Sequence, residues 1–261
     1  MLRIATWNVN SVRQRLAPLL SFLKESNPDI LCLQELKCEE TAFPRMEVED
    51  AGYNVVLHGQ KTFNGVAILS KSPIEESTVG LPGFDHEGQS RYIEAVVSNG
   101  DAGVFRVASI YCPNGNPPDT PKYAYKLRFM KALTAHAFAL LKLEEATVLA
   151  GDYNIIPEPR DAHDPSAWVA DALFLPESRA AYRRLLNLGY ADALRAATDD
   201  AGLYTFWDYQ AGAWQKNKGI RIDHLLLSPQ AADRLARVEI VKEMRAGDKP
   251  SDHVPIFAEL A

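Results

Sequence analysis

The sequence predicts an α/β protein in which two β-sheets pack face to face and helices cover their outer sides. Strand-like apolar runs outnumber helical patterns, and the helices interrupt the strands early and in the middle of the chain. The alternation lacks the regularity of repeated β-α-β units, so a doubly wound parallel sheet is the weaker interpretation. No long linker or internal repeat divides the chain, and a single domain over residues 1–261 is expected.

The first half of the chain is predicted to combine short strands with one helix. After the opening strand, apolar side chains between Val12 and Leu23 recur on one helical face. Asn27-Pro28-Asp29 ends that helix and opens the second strand. Turns containing Gly, Asn and Pro separate the later strands. The predicted strands of this half are residues 2–7, 29–33, 55–57, 66–69, 92–97 and 105–112.

The second half begins with a proline-rich loop over 113–121 and a helix over 122–143. Prolines make residues 155–176 irregular, and a shorter helix follows at 177–188. The buried stripe of the longer helix is predicted to comprise Leu127, Met130, Leu133, Phe138 and Leu141. The remaining predicted strands are residues 146–152, 205–209, 222–228, 238–241 and 254–260.

The composition is that of an ordinary soluble globular protein, with 47% apolar and 24% charged residues. No apolar run approaches the ~20 residues that a membrane span requires. Met1 leads directly into a strand pattern, so no signal peptide is expected. The three cysteines are odd in number and lack CxxC spacing, which favours reduced packing residues. We therefore expect a cytoplasmic protein without a membrane partner.

The net charge of −6 argues mildly against a polyanionic partner, but local fields matter more than totals. Residues 120–143 contain no acid, and a second basic stretch covers 216–221. Either stretch alone is most simply a solvated face. The cations in these stretches are Lys122, Lys126, Arg128, Lys131, Lys142, Lys216, Lys218 and Arg221.

Polar residues cluster at the ends of the apolar strand-like runs. Such side chains should converge at one edge of a sheet, where a hard cation would compensate their burial. The clusters are Asn8/Asn10, Gln34-Glu35, Tyr111, Asp152-Asn154, Arg221-Asp223 and Ser251-Asp252-His253.

Each cluster also has a purely structural interpretation. Glu35, at the end of a buried strand, is either a turn cap or a ligand. Asp152 and Asn154 point the same way in an extended segment. One of them could hold a metal or take a proton while the other donates to an oxyanion, but an Asx turn is equally ordinary. Gly151 allows a close backbone approach beside them.

A buried Asp223 needs a partner, and His253 is a sensible one. Asp223 would fix the imidazole tautomer and favour its charged form. His224 should point to the opposite face and is interpreted as structural. Tyr111 closes a strand, where a phenol can donate to a developing oxyanion.

The order WNVN, LQE, IYCPN, GDYN, RID and SDH resembles the exonuclease III family of abasic-site endonucleases, within the endonuclease/exonuclease/phosphatase superfamily. The resemblance extends from Asn8 to His253. It implies the four-layer, DNase I-like sandwich. It also implies a Mg²⁺-dependent phosphodiesterase, with Mn²⁺ as a substitute, that cuts duplex DNA 5′ of abasic sites. Activity as a 3′→5′ exonuclease and 3′-phosphatase would accompany this cleavage.

The resemblance also implies roles for individual residues. Glu35 would be the main metal ligand, Asp152 would orient or deprotonate water, and His253 would donate to a non-bridging phosphate oxygen. The implied catalytic residues are Tyr111, Asp152, Asn154, Asp223 and His253. The implied metal ligands are Asn8, Glu35, Asp152, Asn154, Asp252 and His253. Whether one or two metal ions act stays open.

Substrate selection is expected to depend on an apolar pocket that admits a sugar without its base. The pocket residues that the resemblance implies are Phe206, Trp207, Ile220 and Ile222, which without the resemblance would be interpreted as plain core. Ile220 stands where some relatives carry tryptophan, and Asn10 where some carry aspartate. Asn10, Asn114, Lys122, Arg128, Lys216, Lys218 and Arg221 are expected to contact the substrate, with Arg91 as a further candidate.

The expected partner is double-stranded DNA with abasic or 3′-blocked lesions, and no obligatory protein partner is expected. A nucleoid-associated location in the cytoplasm follows. Two alternatives remain: another phosphodiesterase of the superfamily, acting on lipids or general nucleic acids, and a catalytically silent nucleic-acid-binding protein on the same fold. The complete set of acids and His253 argues against the silent protein.

Overall fold

The computed structural model describes residues 1–100 and 103–261 and contains twelve strands. In chain order these are β1 (Leu2–Asn8), β2 (Ile30–Gln34), β3 (Asn54–His58), β4 (Val66–Ser70), β5 (Ile74–Val79), β6 (Tyr92–Ser98), β7 (Val104–Tyr111), β8 (Ala146–Asp152), β9 (Ala191–Asp192), β10 (Asp223–Leu227), β11 (Leu235–Ile240) and β12 (Ile256–Leu260). The helices are α1 (Leu16–Glu25), α2 (Arg45–Asp50), α3 (Pro121–Leu141), α4 (Pro176–Asn187), α5 (Ala193–Ala197) and α6 (Pro229–Ala232).

The strands form two mixed six-stranded sheets with the orders β11-β12-β1-β2-β4-β3 and β5-β6-β7-β8-β10-β9. Alternation along each strand sends one set of apolar side chains to the other sheet and the next set to the helices. Ile4, Cys32, Val107 and Val148 lie in the core between the sheets. Separate cores lie under α1 on the first sheet and under α3 and α4 on the second. The predicted four-layer sandwich is therefore confirmed.

Strand register explains why the polar clusters converge. β1 and β2 are parallel, so Asn8 pairs with Gln34 at their carboxyl ends. β7 and β8 are also parallel, so Tyr111 pairs with Asp152. β10 runs antiparallel to β8, and its first residue, Asp223, therefore lies opposite Asp152. The polar ends of both sheets consequently meet at one edge of the sandwich.

Some predicted elements differ from the structure. Residues 205–209 form no strand, and Phe206 makes only isolated bridges to Ile220 and His253. The edge strand β5, which carries few apolar residues, was missed together with the short helices α2 and α5. The predicted stripe of α3 is correct at Met130 and Leu133, but Phe138 is 51% exposed. In the described part of the chain, no helix has both the length and the apolar character needed to cross a membrane.

Candidate active site

The polar strand ends surround a cavity of about 250 Å³. It has a floor of acids and amides and an apolar wall. The floor residues that line it are Glu35, Tyr111, Asn114, Asn116, Asp152, Asn154, Asp208, Asp252 and His253. The structure thus brings together side chains from strand ends that are far apart in sequence.

Asp152 lies at the centre of this floor and is 1% exposed. One carboxylate oxygen accepts from the Asn154 main-chain N–H at 2.8 Å, and the other accepts from Asn8 Nδ2 at 2.9 Å. Burial raises the pKa of Asp152, and repulsion from Asp223 adds to this against the attraction of His253, so that the pKa reaches about 7. A carboxylate with this pKa is suited to exchanging a proton near neutral pH.

His253 is oriented by Asp223, as predicted. Its Nδ1 lies 2.8 Å from Asp223 Oδ2, and its Nε2 lies 3.8 Å from Asp152 Oδ2. Burial alone would disfavour the imidazolium, but the hydrogen-bonded Asp223 carboxylate outweighs it and raises the pKa of His253 to about 10. A doubly protonated ring has no free lone pair. An imidazolium can donate from Nε2, and the donor and metal-ligand roles of His253 both stay predictions.

Glu35 is held by two donors. Lys37 Nζ lies 2.8 Å from Oε2, and Asn8 Nδ2 donates to Oε1 at 2.8 Å. Burial opposes ionisation, but these two donors lower the pKa of Glu35. Glu35 and Asn154 adopt positive φ angles of 53° and 48°. Left-handed backbone in residues other than glycine costs energy and is found where surrounding contacts enforce it, often at functional sites.

The amide side chains connect the acids. Asn8 donates from Nδ2 to two carboxylates, while its Oδ1 accepts from the Asn10 main-chain N–H at 3.0 Å. Asn10 donates to Asp252 Oδ1 at 2.9 Å and accepts from Lys37. Asn10 is thus bound to the acid floor. Metal ligation by Asn8 and substrate contact by Asn10 stay predictions.

The charges of the floor match a divalent cation. Ligand atoms of Glu35, Asp152 and His253 all lie within 4.8 Å of one another. Asp208 is exposed and accepts from the Gln210 main-chain N–H. Apart from it, the floor has four carboxylates, those of Glu35, Asp152, Asp223 and Asp252. They face two cations, Lys37 and His253, which leaves a formal charge of −2. Asp223 Oδ1 is buried and has no hydrogen-bond partner. Carboxylate oxygens in excess of their cations suit a hard ion such as Mg²⁺ or Mn²⁺.

Tyr111 stays protonated and can donate a hydrogen bond. Burial, followed by the negative charges of Glu35 and Asp152, raises its pKa well above the usual value. The Arg91 guanidinium lies 4.9 Å from the centroid of its ring. Asn154, the remaining predicted catalytic residue, donates from Nδ2 to the Cys112 carbonyl at 3.0 Å and accepts from Asn114 Nδ2 at 3.1 Å.

The apolar wall of the cavity differs from the predicted one. Phe206 and Ile222 line it, as predicted, together with Trp168 and Leu173, which were not predicted. Trp207 is fully buried in a separate cluster with Tyr204, Val254 and Trp214, so its predicted pocket role is wrong. Ile220 does not line the cavity itself but packs in the same apolar cluster as Phe206, Ile222, Trp168 and Leu173, and its pocket role stays a prediction. Trp168 and Leu173 lie in the irregular proline-rich segment, where no periodic pattern could identify them.

A groove of about 780 Å³ adjoins the cavity and shares Tyr111, Asn114 and Asn116 with it. Arg91, Lys122 and Arg128 also line this groove, so these predicted cations lie on one surface. The side chain of Arg128 is 57% exposed and pairs with Glu87 at 3.0 Å. Phe63, 65% exposed at the rim, was not predicted.

Arg221 corrects the prediction of a phosphate contact. Its side chain is fully buried, with Nε 2.7 Å from Asp161 Oδ1 and Nη1 2.8 Å from Asp192 Oδ2. Nη1 also lies 3.0 Å from Nδ1 of His224, which is structural as expected. Because both ends of this guanidinium are held in the interior, it cannot reach DNA.

The fold and the acid floor define a class: phosphodiester hydrolases with two facing sheets and a polar, metal-binding edge. The model of the Endonuclease/Exonuclease/phosphatase family matches residues 5–253, and the chain belongs to that family.

The relatives agree with this assignment. Exodeoxyribonuclease III of Haemophilus influenzae is 33% identical, with 99% of each chain covered. The DNA repair nuclease APEX1 of Danio rerio is 30% identical over 100% of this chain and 82% of its own. A 3′ phosphatase from Neisseria, solved with a product DNA hairpin, superposes with a TM-score of 0.96 at 39% identity, with full coverage of both chains. An AP endonuclease from Archaeoglobus fulgidus superposes with a TM-score of 0.94 at 37% identity, over 100% of this chain and 99% of its own.

Proposed function

We propose that this protein is a Mg²⁺-dependent DNA repair nuclease that cleaves duplex DNA 5′ of abasic sites and also processes blocked 3′ ends. The observation that carries this proposal is the acid floor: four carboxylates against two cations, next to an apolar cavity and a groove lined by Arg91, Lys122 and Arg128. The floor is suited to a metal and a phosphate, and the groove to a DNA backbone.

The residues of the floor divide the work of phosphodiester cleavage. A divalent cation held by Glu35, with Asp252 nearby, neutralises phosphate charge when bound. Asp152 takes the proton of the attacking water, which its pKa of about 7 allows. His253, held protonated by Asp223, donates from Nε2 to a non-bridging oxygen. Tyr111 donates to the phosphate or leaving oxygen, and Asn154 holds the water or the pentavalent phosphorus.

The apolar cavity supplies selection of the abasic sugar. Phe206 packs edge-on against His253, with ring centroids 4.9 Å apart. A compact sugar therefore fits between this ring and the wall formed by Trp168, Leu173 and Ile222, beside the catalytic floor. A nucleotide that keeps its base would not fit, because the cavity of about 250 Å³ also has to hold the scissile phosphate. A 3′-terminal phosphate presents the same bond to the floor, which supports 3′-phosphatase and 3′→5′ exonuclease activity.

The relatives support a DNA substrate. They are an exodeoxyribonuclease III, a DNA repair nuclease, a 3′ phosphatase bound to a DNA hairpin and an AP endonuclease. We extend DNA repair to this chain on that basis and propose the cytoplasm, with association to the nucleoid, as its location. A catalytically silent protein would not need Asp152 and His253 in a proton-exchanging arrangement.

The test uses two labelled duplexes that differ only in one abasic-site analogue, and a third with a 3′-phosphate at a nick. Each is incubated with Mg²⁺, with Mn²⁺ and with chelator. We expect metal-dependent cleavage that strongly prefers the abasic duplex over the intact one, together with phosphate release from the nick. Equal cutting of intact and abasic duplexes would indicate a general nuclease. No cleavage of any duplex with either metal would remove the enzymatic proposal.

A further inference from the structure

Lys126 carries a charged side chain into the interior of the protein. It lies on α3 among buried apolar residues such as Phe129 and Met130, and it is fully buried. Its pattern in the sequence indicated a solvated basic face, which the structure contradicts. Burying an ammonium group is unfavourable unless its donors are satisfied, whereas an apolar side chain would fill the same helix position without this penalty. Burial lowers the pKa of Lys126 to about 8.

The ammonium group of Lys126 donates to three main-chain carbonyls. Nζ lies 3.0 Å from the Asn114 oxygen, 2.5 Å from the Asn154 oxygen and 3.1 Å from the Ala172 oxygen. An ammonium group has three N–H donors, so each can meet one carbonyl. Bonds from a charged donor are shorter and stronger than those between neutral groups. No other type of side chain could satisfy three converging carbonyls from one compact atom.

The three carbonyls belong to three segments that build the candidate active site. Asn114 lies in the loop after β7, Asn154 follows β8 and Ala172 precedes the pocket residue Leu173. Side-chain hydrogen bonds link the same segments a second time, since Asn114 Nδ2 donates to Asn154 Oδ1 at 3.1 Å. Asn116 Nδ2 likewise donates to Asp171 Oδ1 at 3.0 Å. Lys126 therefore connects the segments of the catalytic floor to the segment of the apolar wall.

Gly115 leaves the space that the lysine stem occupies. A Cβ atom added at Gly115 would lie 2.8 Å from Lys126 Cδ, and the φ of this residue is +89°, in the region that favours glycine. Asn154 itself adopts a φ of 48°, which its own residue type tolerates but does not enforce. A bond from Lys126 to the Asn154 carbonyl helps to hold that conformation and so the direction of the Asn154 side chain.

We propose that Lys126 is a positioning residue for the reaction. Through its three carbonyl bonds it fixes Asn154 relative to the apolar wall at Leu173, without touching the substrate. This inference rests on the proposed function. Removing the ammonium group would leave three carbonyls facing each other without a donor, and the Asn154 turn would relax away from the phosphate. A displacement on the order of 1 Å in a catalytic group can cost about 100-fold in rate.

The first experiment compares kcat and KM for the abasic duplex in the wild type, Lys126→Met, Lys126→Arg and the control Lys131→Met. Lys131 lies on the same helix and is exposed. We expect Lys126→Met to lower kcat by about 100-fold and to change KM less than about 3-fold, because the groove cations are untouched. Lys126→Arg should recover part of the kcat, and Lys131→Met should match the wild type. If Lys126→Met does not fold, Lys126→Gln replaces it, with a kcat loss of about 10-fold or more expected.

The second experiment separates positioning from general support. If Lys126 acts through Asn154, its removal in an Asn154→Ala background should cost less than about 5-fold, because the group it positions is already absent. Equal losses in both backgrounds would mean that Lys126 only supports the fold, and this would overturn the inference. The inference would also be overturned if the wild type is active and Lys126→Met or Lys126→Gln keeps a kcat within 3-fold of it. That result would leave the proposed function intact. An inactive wild type would instead contradict the proposed function.

Discussion

Two clusters of buried charge in this protein differ in how their charges are balanced. In the first cluster, Arg221 and Arg195 pair with Asp161 and Asp192 at distances of 2.5 to 2.8 Å. Two cations face two carboxylates, and the cluster is neutral. The second cluster is the acid floor of the candidate active site, where Lys37 and His253 leave two of four carboxylates without a cation.

The pKa directions follow this difference. Burial alone would raise the pKa of Asp192, but Arg221 outweighs it and lowers the pKa to about 2. Burial also raises the pKa of Asp152; His253 opposes this, but Asp223 adds to it, so the pKa reaches about 7. A balanced buried cluster is a structural element, whereas an unbalanced one retains a capacity to bind a cation or take up a proton. Equally buried carboxylates thus have a structural role in the balanced cluster and a functional role in the acid floor.

The largest expected effect is that of Asp152→Asn on turnover. The carboxylate is assigned proton transfer, so its loss should lower kcat by about 1,000-fold or more. Because burial and Asp223 disfavour the ionised form, the neutral amide should leave the melting temperature unchanged or raise it. Single-turnover cleavage and thermal unfolding measure both quantities. Turnover within 10-fold of the wild type would remove Asp152 from its catalytic role.

The balanced cluster should respond in the opposite way. Asp161→Asn removes a carboxylate from Arg221 and Arg195 and should destabilise the protein by about 3–5 kcal/mol in denaturant unfolding. Turnover per folded molecule should stay within a few-fold of the wild type, because neither guanidinium faces the cavity. A stable Asp161→Asn variant with greatly reduced turnover would contradict the structural assignment.

Acid titration gives a smaller effect in the same cluster. The pKa of Asp192 is about 2 in the folded protein, below its ordinary value of 3.8. Its contribution to stability is therefore complete above about pH 4 and is lost as the pH falls through about 2. The contribution is on the order of 2 kcal/mol. Between pH 5 and 2.5 the unfolding free energy of the wild type should fall more steeply than that of Asp192→Asn. If the unfolding free energies of the two proteins fall in parallel with pH, Asp192 does not have the lowered pKa assigned to it.

The smallest expected effect concerns the apolar wall. Phe206→Ala widens the cavity and removes the ring next to His253, so cleavage at abasic sites should fall by about 10-fold. Release of a 3′-phosphate, which needs no sugar pocket of this shape, should fall by less than about 3-fold. The ratio of the two kcat/KM values is the measurement, with Trp207→Phe as the matched control in the separate core. Equal losses on both substrates would make Phe206 a core residue only.

The sequence predicted the acid floor better than its surroundings for a physical reason. Strand ends are marked by a change from apolar to polar residues, so the sequence alone predicts that Glu35, Asp152 and His253 lie at one edge. No comparable change in the sequence pattern indicates that a cation is buried. Lys126 and Arg221 look like surface residues in the sequence, and only the carbonyls and carboxylates folded around them identify them as interior.

The apolar positions show the same limit. Phe206 and Trp207 are adjacent, yet Trp207 lies in a closed core and Phe206 lines the cavity, in a segment that makes isolated bridges in place of the predicted strand. Trp168 and Leu173 reach the cavity from an irregular segment that has no periodicity. The direction of a side chain in such segments is set by tertiary contacts, which the sequence does not display.

The most direct test of the unbalanced acid floor is a calorimetric titration of Mn²⁺ at pH 7.5 into the wild type, Glu35→Gln and Asp192→Asn, without DNA. We predict saturable binding to the wild type and to Asp192→Asn, and affinity at least 10-fold weaker for Glu35→Gln. A wild type that binds no divalent ion, or a Glu35→Gln variant that binds it equally well, would contradict the assignment of this floor as a metal centre.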